Sequence, residues 1–172
     1  MKEKPMRIET QRLALRPVAD ADRADMFRIF SNDCVKKTYM LPDFDGPEAM
    51  EKLLQRFVAL SGDPGRFVYG IDLDGRLIGF LNEVHRDGET IELGYVIHPD
   101  WQRRGCMTEA LKAAVDALFA MGWSAVRAGF FEGNDASRRV MEKAGMTRVD
   151  LTEVIEYRGE SHNIVYYEIK AG

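Results

Sequence analysis

Hydrophobic and polar residues follow two different periods along the chain, and each change of period marks the end of a predicted element. Residues 8–18 alternate between apolar and polar side chains, which predicts a strand that ends near Pro17. Residues 20–30 and 47–60 instead carry apolar side chains three and four positions apart, which predicts two amphipathic helices. The segment 32–46 between them is rich in turn-forming residues, and we expect it to be irregular.

The middle of the chain returns to the alternating period. Residues 67–73, 77–81 and 91–97 predict three consecutive strands, joined by turns at 74–75 and 86–89. Short turns between consecutive strands are typical of an antiparallel meander.

The helical period then reappears, and the last third of the chain mixes helices with strands. Five elements are predicted there: a helix over 107–122, a strand over 125–131, a short helix over 135–144, and a final hairpin of strands 149–155 and 164–169. The resulting order, β-α-α-β-β-β-α-β-α-β-β, contains no regular βαβ repeat. It therefore predicts an α+β fold with a mostly antiparallel sheet, in a single domain over residues 1–172.

The composition narrows the functional class. The 172 residues carry a formal net charge of −4, so no basic surface is dictated and nucleic acid is not an expected partner. Cys34 and Cys106 form no CxxC pair and no disulfide pattern, which is typical of a reducing cytoplasm. The sequence shows no apolar stretch long enough to cross a bilayer and no apolar core of a secretion signal. We therefore expect a cytoplasmic protein without a membrane partner.

A loop rich in arginine joins the strand 91–97 to the helix that begins near Met107. Arg103, Arg104 and Gly105 stand directly before this helix. The first N–H groups of a helix lack internal partners and carry partial positive charge, so a phosphate binds readily there. Glycine lets a ligand approach the backbone closely, and the arginines add charge. The same residues also fit a plain strand-to-helix loop with two solvated arginines, but the sequence has neither a P-loop nor a GxGxxG fingerprint.

Three stretches, in the correct order across nearly the whole chain, resemble the GNAT acetyltransferases. Gln102–Met107, within the segment 91–114, resembles their acetyl-CoA motif Q/R-x-x-G-x-G/A. Asn134–Met146 resembles their second half, in which an asparagine opens a helix and a glycine followed by an apolar residue starts the next strand. The opening segment 8–17 is similar to the Rim-type branch, which includes ribosomal-protein N-terminal acetyltransferases. The resemblance implies the GNAT fold, with helices on both faces of the sheet.

The same resemblance implies a binding site for acetyl-CoA as co-substrate. In the family, the strand before the loop separates from its neighbour, and its backbone pairs with the pantetheine arm. Backbone N–H groups of the loop hold the pyrophosphate. The implied residues are Tyr95, Val96 and Ile97 for the arm, Arg103, Arg104, Gly105, Cys106, Met107 and Thr108 for the pyrophosphate, and Asn134 and Ser137 at the next helix. Met107 departs from the motif, whose last position is Gly or Ala, and its side chain either crowds the pyrophosphate or points into the core.

Acyl transfer to an amine requires removal of a proton, since a free α-amine titrates near ~8 and a lysine near ~10.4. A carboxylate, directly or through water, can accept that proton. Glu92 is the first candidate because it interrupts an apolar run on the strand that leads to the loop. If Tyr95 and Ile97 face one side of the sheet, Glu92 faces the other. Glu92 equally fits an exposed position on a half-solvated strand, and Glu83 and Glu132 are weaker candidates.

The departing thiolate needs a proton or another form of stabilisation. Many GNAT members use a tyrosine seven residues after the helix-opening asparagine, and that position is Met141 here. Ser137 supplies the nearest hydroxyl by analogy, although serine also commonly caps a helix N-terminus. We interpret Cys106 as a small loop residue, because the family transfers the acetyl group directly from CoA to the amine.

The sequence as a whole predicts an acetyl-CoA-dependent N-acetyltransferase whose acceptor is a primary amine, in a protein N-terminus or in a small molecule. Two alternatives stay open: a catalytically weak GNAT fold that binds CoA as a sensor, and a non-catalytic interaction domain. The three histidines have no metal-ligand spacing, so no metal is expected. Either a monomer or a homodimer fits the sequence.

Overall fold

The computed structural model describes residues 2–172. The helices are α1 (Arg23–Phe30), α2 (Asp33–Thr38), α3 (Pro47–Gly62), α4 (Cys106–Met121) and α5 (Asp135–Lys143). The strands are β1 (Ile8–Glu9), β2 (Leu13–Arg16), β3 (Val68–Leu73), β4 (Arg76–Asp87), β5 (Thr90–Ile97), β6 (Ala125–Phe131), β7 (Thr147–Tyr157) and β8 (Glu160–Lys170).

All eight strands form one sheet in the order β1-β2-β3-β4-β5-β6-β8-β7. Neighbouring strands are antiparallel except β5 and β6, which run parallel and are connected through α4. A parallel pair needs such a crossover, because a tight turn can join only antiparallel strands. The α+β fold with a mostly antiparallel sheet is therefore confirmed.

Helices cover both faces of the sheet, and each face has its own hydrophobic core. One core joins the sheet to α4 and α5, and the other joins it to α1, α2 and α3. Alternation along β5 divides its side chains between them: Leu93, Tyr95 and Ile97 contact the first core and Val96 contacts the second. This division confirms the alternation expected from the sequence.

Two predictions near the N-terminus were wrong. Residues 8–18 form two short strands instead of one, because the Thr10 main chain and hydroxyl both bond Leu13 and close a tight turn. The segment 32–46 contains the helix α2, which was missed. Asn32 caps this helix by accepting the N–H groups of Cys34 and Val35. With Val35 as its only fully buried side chain, α2 has too few apolar positions to show a period.

The strands β4, β7 and β8 extend further than their apolar residues predicted. Beyond Leu81, β4 continues through a polar stretch to Asp87 because β5 pairs with it along that length. A bulge between Glu83 and His85 interrupts this pairing close to Glu92. The backbone ladder, rather than side-chain burial, thus sets the length of these strands.

Within residues 2–172, no helix is long and apolar enough to cross a membrane. The same range contains no group of three or more His, Cys, Asp or Glu side chains placed to hold a metal ion. Cys34 is exposed and Cys106 is buried, and both are free thiols.

Candidate active site

The parallel strands β5 and β6 separate before they end. Their pairing runs from Thr90–Ala125 to Leu93–Ala128 and is not recorded beyond that point in the described chain. β5 continues four residues further, to Ile97, while remaining paired with β4. An open edge of backbone therefore lies between the two strands, directly before the arginine-rich loop.

Alternate residues of this open segment point to opposite edges. The main chain of Val96 faces β4, since a methyl group built on Gly79 would collide with the Val96 carbonyl oxygen. Tyr95 and Ile97 consequently direct their N–H and C=O groups toward the open edge. The Ile97 carbonyl accepts a bond from the Gln102 side chain at 3.3 Å. Of the three residues expected to contact the pantetheine arm, Val96 thus directs its main chain toward β4, and Tyr95 and Ile97 direct theirs toward the gap between β5 and β6.

The loop after β5 leads directly into the N-terminus of α4. Arg103 and Gly105 both adopt left-handed backbone conformations, with φ of 63° and 75°. The first helical bond joins the Glu109 N–H to the Gly105 carbonyl, so the N–H groups of residues 106–108 have no partner inside the helix. Such a group of free, outward N–H donors fits a pyrophosphate. The donor set of the loop thus fits the pyrophosphate of acetyl-CoA, and the open edge of β5 fits an extended amide-containing arm.

The side chain of Met107 lies in the core. Met107 is 5% exposed and Cys106 is 2% exposed, and both pack among the apolar residues beneath α4. Of the two orientations left open by the sequence, the inward one is observed, so the methionine does not crowd the outward N–H groups. Burial of Cys106 also agrees with a small packing residue.

The N-terminus of α5 collects three of the predicted residues. Asn134 caps the helix by accepting the Ser137 N–H at 3.3 Å, and its amide nitrogen donates to the Ser137 hydroxyl at 3.1 Å. The Tyr95 hydroxyl lies 3.3 Å from the Ser137 carbonyl oxygen, across the gap between β5 and α5. Burial raises the pKa of Tyr95, so its phenol stays protonated and acts as a donor. Met141, at the family's tyrosine position, is fully buried and carries no proton to donate.

Glu92 lies on the opposite face of β5 from Tyr95, among charged neighbours. His85 on β4 and Arg127 on β6 are its direct cross-strand partners. The Arg127 guanidinium is already engaged by Glu168, with Nε and Oε2 at 2.7 Å. Burial raises the pKa of Glu92, and Arg127 and His85 only partly oppose this while Glu153 adds to it. A carboxylate of raised pKa is a better proton acceptor than an ordinary surface glutamate.

The two weaker base candidates are already committed to other groups. Glu83 is bonded by Arg66, Arg86 and the Phe67 N–H. Burial alone would raise its pKa, but these donors outweigh burial and lower it. Glu132 accepts a bond from the Asn163 side chain at 2.9 Å. Glu83 is therefore held as a structural anion by these donors.

Residues that the sequence analysis had not selected converge over Gly94, two positions after Glu92 on the same face. A methyl group built on Gly94 would lie 3.1 Å from the Val84 side chain, 3.6 Å from the Tyr39 ring and 3.7 Å from the Asn82 amide. The Tyr39 hydroxyl donates to Asn82 at 2.9 Å, and burial raises the pKa of Tyr39 to about 12. The absence of a side chain at Gly94 lets Val84, Tyr39 and Asn82 pack closely against this face of β5.

The tip of the β7–β8 hairpin ties the end of α2 and the loop after it to the sheet. The Tyr157 hydroxyl donates to the Lys36 carbonyl oxygen at 2.6 Å and accepts from the Arg158 side chain at 2.8 Å. The Arg158 guanidinium also binds the Leu41 carbonyl and forms an ion pair with Asp43. Together these contacts fix the segment that carries Tyr39 over the face with Glu92.

Comparison with known families agrees with this geometry. Residues 12–147 match the acetyltransferase (GNAT) domain family. The chain therefore belongs to the GNAT acetyltransferases, enzymes that depend on acetyl-CoA.

Individual relatives extend the match over almost the full chain. An uncharacterised N-acetyltransferase of Bacillus subtilis, YoaA, is 33% identical, covering 94% of this chain and 95% of that protein. A GNAT-family acetyltransferase from Bacillus anthracis superposes with a TM-score of 0.82 at 25% identity, covering 96% of this chain and 98% of that one. RimL, a ribosomal-protein acetyltransferase solved with coenzyme A, shares the fold with a TM-score of 0.82 at 19% identity, over 98% of each chain.

Proposed function

We propose that this acetyltransferase transfers the acetyl group of acetyl-CoA to a primary amine, by direct attack of the amine on the thioester. The observation that carries the proposal is the open edge of β5, which begins two residues after Glu92 and leads to the free N–H groups of α4. A thioester lying along that edge would have a phosphate site at one end and a proton acceptor near the other. The acceptor is either a protein N-terminus or a small molecule.

The binding roles divide between two backbone segments. The N–H groups of residues 106–108 would hold the pyrophosphate, with Arg103 and Arg104 adding positive charge at the loop. The main chains of Tyr95 and Ile97 would pair with the pantetheine arm. Asn134 has one amide proton beyond its bond to Ser137, and that proton is available to the arm.

Glu92 would act as the general base. Acetyl-CoA supplies an activated acyl group, and the nitrogen of the acceptor attacks it only when its lone pair is free. The Glu92 carboxylate takes the proton of the ammonium, directly or through a water molecule. Its raised pKa brings its proton affinity closer to that of the amine.

Ser137 would assist the departing thiolate. Its hydroxyl oxygen already accepts a bond from Asn134, which orients the group and leaves its own proton free to donate. Met141 excludes the tyrosine used at that position in many relatives. Both thiols are free, so the proposal places the reaction in the reducing cytoplasm.

The second candidate function is a CoA-binding sensor with weak catalysis. The buried Met141 favours it, because the usual phenol is missing from that position. Calorimetric titration with CoA and a thiol-release assay over a panel of amines separate the two. We expect CoA binding together with thiol release for at least one amine class. Binding without amine-dependent release would support the sensor, and absence of binding would contradict both functions.

A further inference from the structure

The turn between β1 and β2 is anchored on the first turn of α4. The Glu109 carboxylate accepts three bonds from this turn: the Thr10 hydroxyl at 2.6 Å, the Arg12 main-chain N–H at 2.9 Å and the Arg12 Nε at 2.8 Å. Burial alone would raise the pKa of Glu109, but these donors outweigh it and lower the pKa. The carboxylate is therefore ionised at neutral pH, and the ion pair with Arg12 is intact there.

The Arg12 side chain then reaches from Glu109 to the arginine-rich loop. Its Nη1 donates to the Arg104 carbonyl oxygen at 2.8 Å. The C=O and N–H groups of a trans peptide point in opposite directions. Binding the Arg104 carbonyl therefore turns the Gly105 N–H away from Arg12.

This peptide lies in a stretch of backbone that requires support. It connects Arg103, with φ of 63°, to Gly105, with φ of 75°. A left-handed conformation costs a non-glycine residue about 1–2 kcal/mol, so this loop has little intrinsic preference for its observed shape. Within residues 2–172, Arg12 is the only residue whose side chain forms a hydrogen bond with the main chain of residues 103–105.

We propose that Arg12 is a positioning residue for the pyrophosphate loop: clamped by Glu109, it fixes the Arg104–Gly105 peptide in the orientation that binds acetyl-CoA. The proposal rests on the proposed function, because it assigns the pyrophosphate to this loop. Arg12 acts through the backbone, and a ligand's affinity depends on it only when that ligand carries the pyrophosphate.

Two simpler roles for Arg12 make different predictions. If the pair only stabilised the fold, its loss would lower the unfolding temperature and weaken all ligands alike. If the guanidinium instead bound phosphate by itself, Glu109 would not matter, since Arg12 would keep its charge. Its Nη2 lies 3.4 Å from a methyl group built on Gly105, so this second role is sterically reasonable.

The experiment compares Arg12→Ala, Arg12→Lys and Glu109→Gln with the parent protein. Arg7→Ala is the matched control, because Arg7 forms only an exposed pair with Glu9 in the same N-terminal segment. Lysine keeps the charge at position 12 but lacks the planar guanidinium, in which Nε bonds Glu109 while Nη1 bonds the Arg104 carbonyl. The probes are CoA and 3′-phosphoadenosine 5′-diphosphate, which carry the pyrophosphate, and pantetheine, which carries no phosphate. Calorimetry measures the first two, and NMR titration measures pantetheine.

We expect all three variants to lose CoA and 3′-phosphoadenosine 5′-diphosphate affinity by roughly 10-fold or more, the factor for one charge-assisted hydrogen bond. The affinity of these three variants for pantetheine should equal that of the parent. The control Arg7→Ala should bind every probe as tightly as the parent does. Unchanged CoA affinity in folded Arg12→Ala would overturn the inference. So would an equal loss for pantetheine, or normal CoA affinity in Glu109→Gln. Failure of the parent to bind CoA would instead refute the proposed function.

Discussion

Replacing Glu92 by glutamine tests the proton-transfer step while the size and shape of the side chain are kept. His85 and Arg127 flank the carboxylate on the neighbouring strands, and burial raises its pKa. Loss of a general base typically lowers kcat on the order of 10²-fold, or about 2.7 kcal/mol of activation free energy. We expect a loss of this order with the best amine found, while affinity for CoA stays at the parent level.

The pH dependence of kcat/KM is the more specific test of Glu92 as a base. The base works only when ionised, so kcat/KM of the parent should rise as pH passes the raised pKa of Glu92. Glu92→Gln should lack that limb of the profile. The difference between the two proteins should shrink at alkaline pH, where more of the amine is already neutral.

Stability should move in the opposite direction to activity. A carboxyl whose folded pKa lies above its unfolded pKa loses protons more readily on unfolding, so its ionisation lowers the stability as pH rises through that range. Glu92→Gln should therefore be at least as stable as the parent at pH 7 in a denaturant titration. Glu89→Gln, in the β4–β5 turn three residues before Glu92 and bonded to Ser124, is the matched control. Superimposable pH–rate profiles of Glu92→Gln and the parent would refute the assignment of Glu92 as base.

Three further substitutions test the loop and the fold. Gly105→Asp should bind CoA at least roughly 10-fold more weakly than Gly105→Asn does. Asparagine has the same shape as aspartate and tolerates the left-handed φ of 75°, but it adds no charge. Equal affinities of the two variants by calorimetry would contradict an anion site. Arg16→Met should cost about 3–5 kcal/mol of unfolding free energy, because it leaves the buried Asp22 carboxylate unpaired, and a urea midpoint near that of the parent would show that the pair is dispensable. Burial lowers the pKa of Lys4 to about 8. Between that pH and the ordinary pKa of lysine, the Lys4 amine is therefore protonated in the unfolded protein and neutral in the folded one. Relative to Lys4→Met, the free energy of unfolding of the parent should increase by about 1.4 kcal/mol per pH unit from pH ~8 to ~10. Free energies of unfolding that change in parallel with pH in the two proteins would contradict the lowered pKa of Lys4.

The sequence predicted those parts of the site that arise from a local pattern. The strand 91–97, the loop with Gly105 and the start of α4 are contiguous, so period and glycine placement were sufficient to locate them. The opposite orientations of Glu92 and Tyr95 followed from strand alternation alone. The family resemblance then supplied the ligand, which no local pattern identifies.

Contacts between distant segments could not be read in the same way. Arg12 and Glu109 are separated by 97 positions, and Tyr39 and Asn82 by 43, so only the sheet topology brings each pair together. The sequence motif left open whether the Met107 side chain points into the core or toward the pyrophosphate. Its inward direction depends on how α4 packs against the sheet, which the motif does not encode. The α2 helix escaped prediction because capping by Asn32 and one buried apolar residue are sufficient to stabilise it in the folded protein.

The hydroxyl of Tyr157 has a consequence for changing the acceptor of this enzyme by protein engineering. It belongs to the last hairpin, yet it binds main-chain groups at the end of α2 and in the segment that follows, more than a hundred positions earlier in the chain. Main-chain recognition places few demands on the side chains of that segment, which are therefore free to vary. A library that randomises residues around Tyr39 while retaining Tyr157 and Arg158 should keep this segment over the face of β5 that carries Glu92, whereas a chimera that exchanges the hairpin alone would detach it.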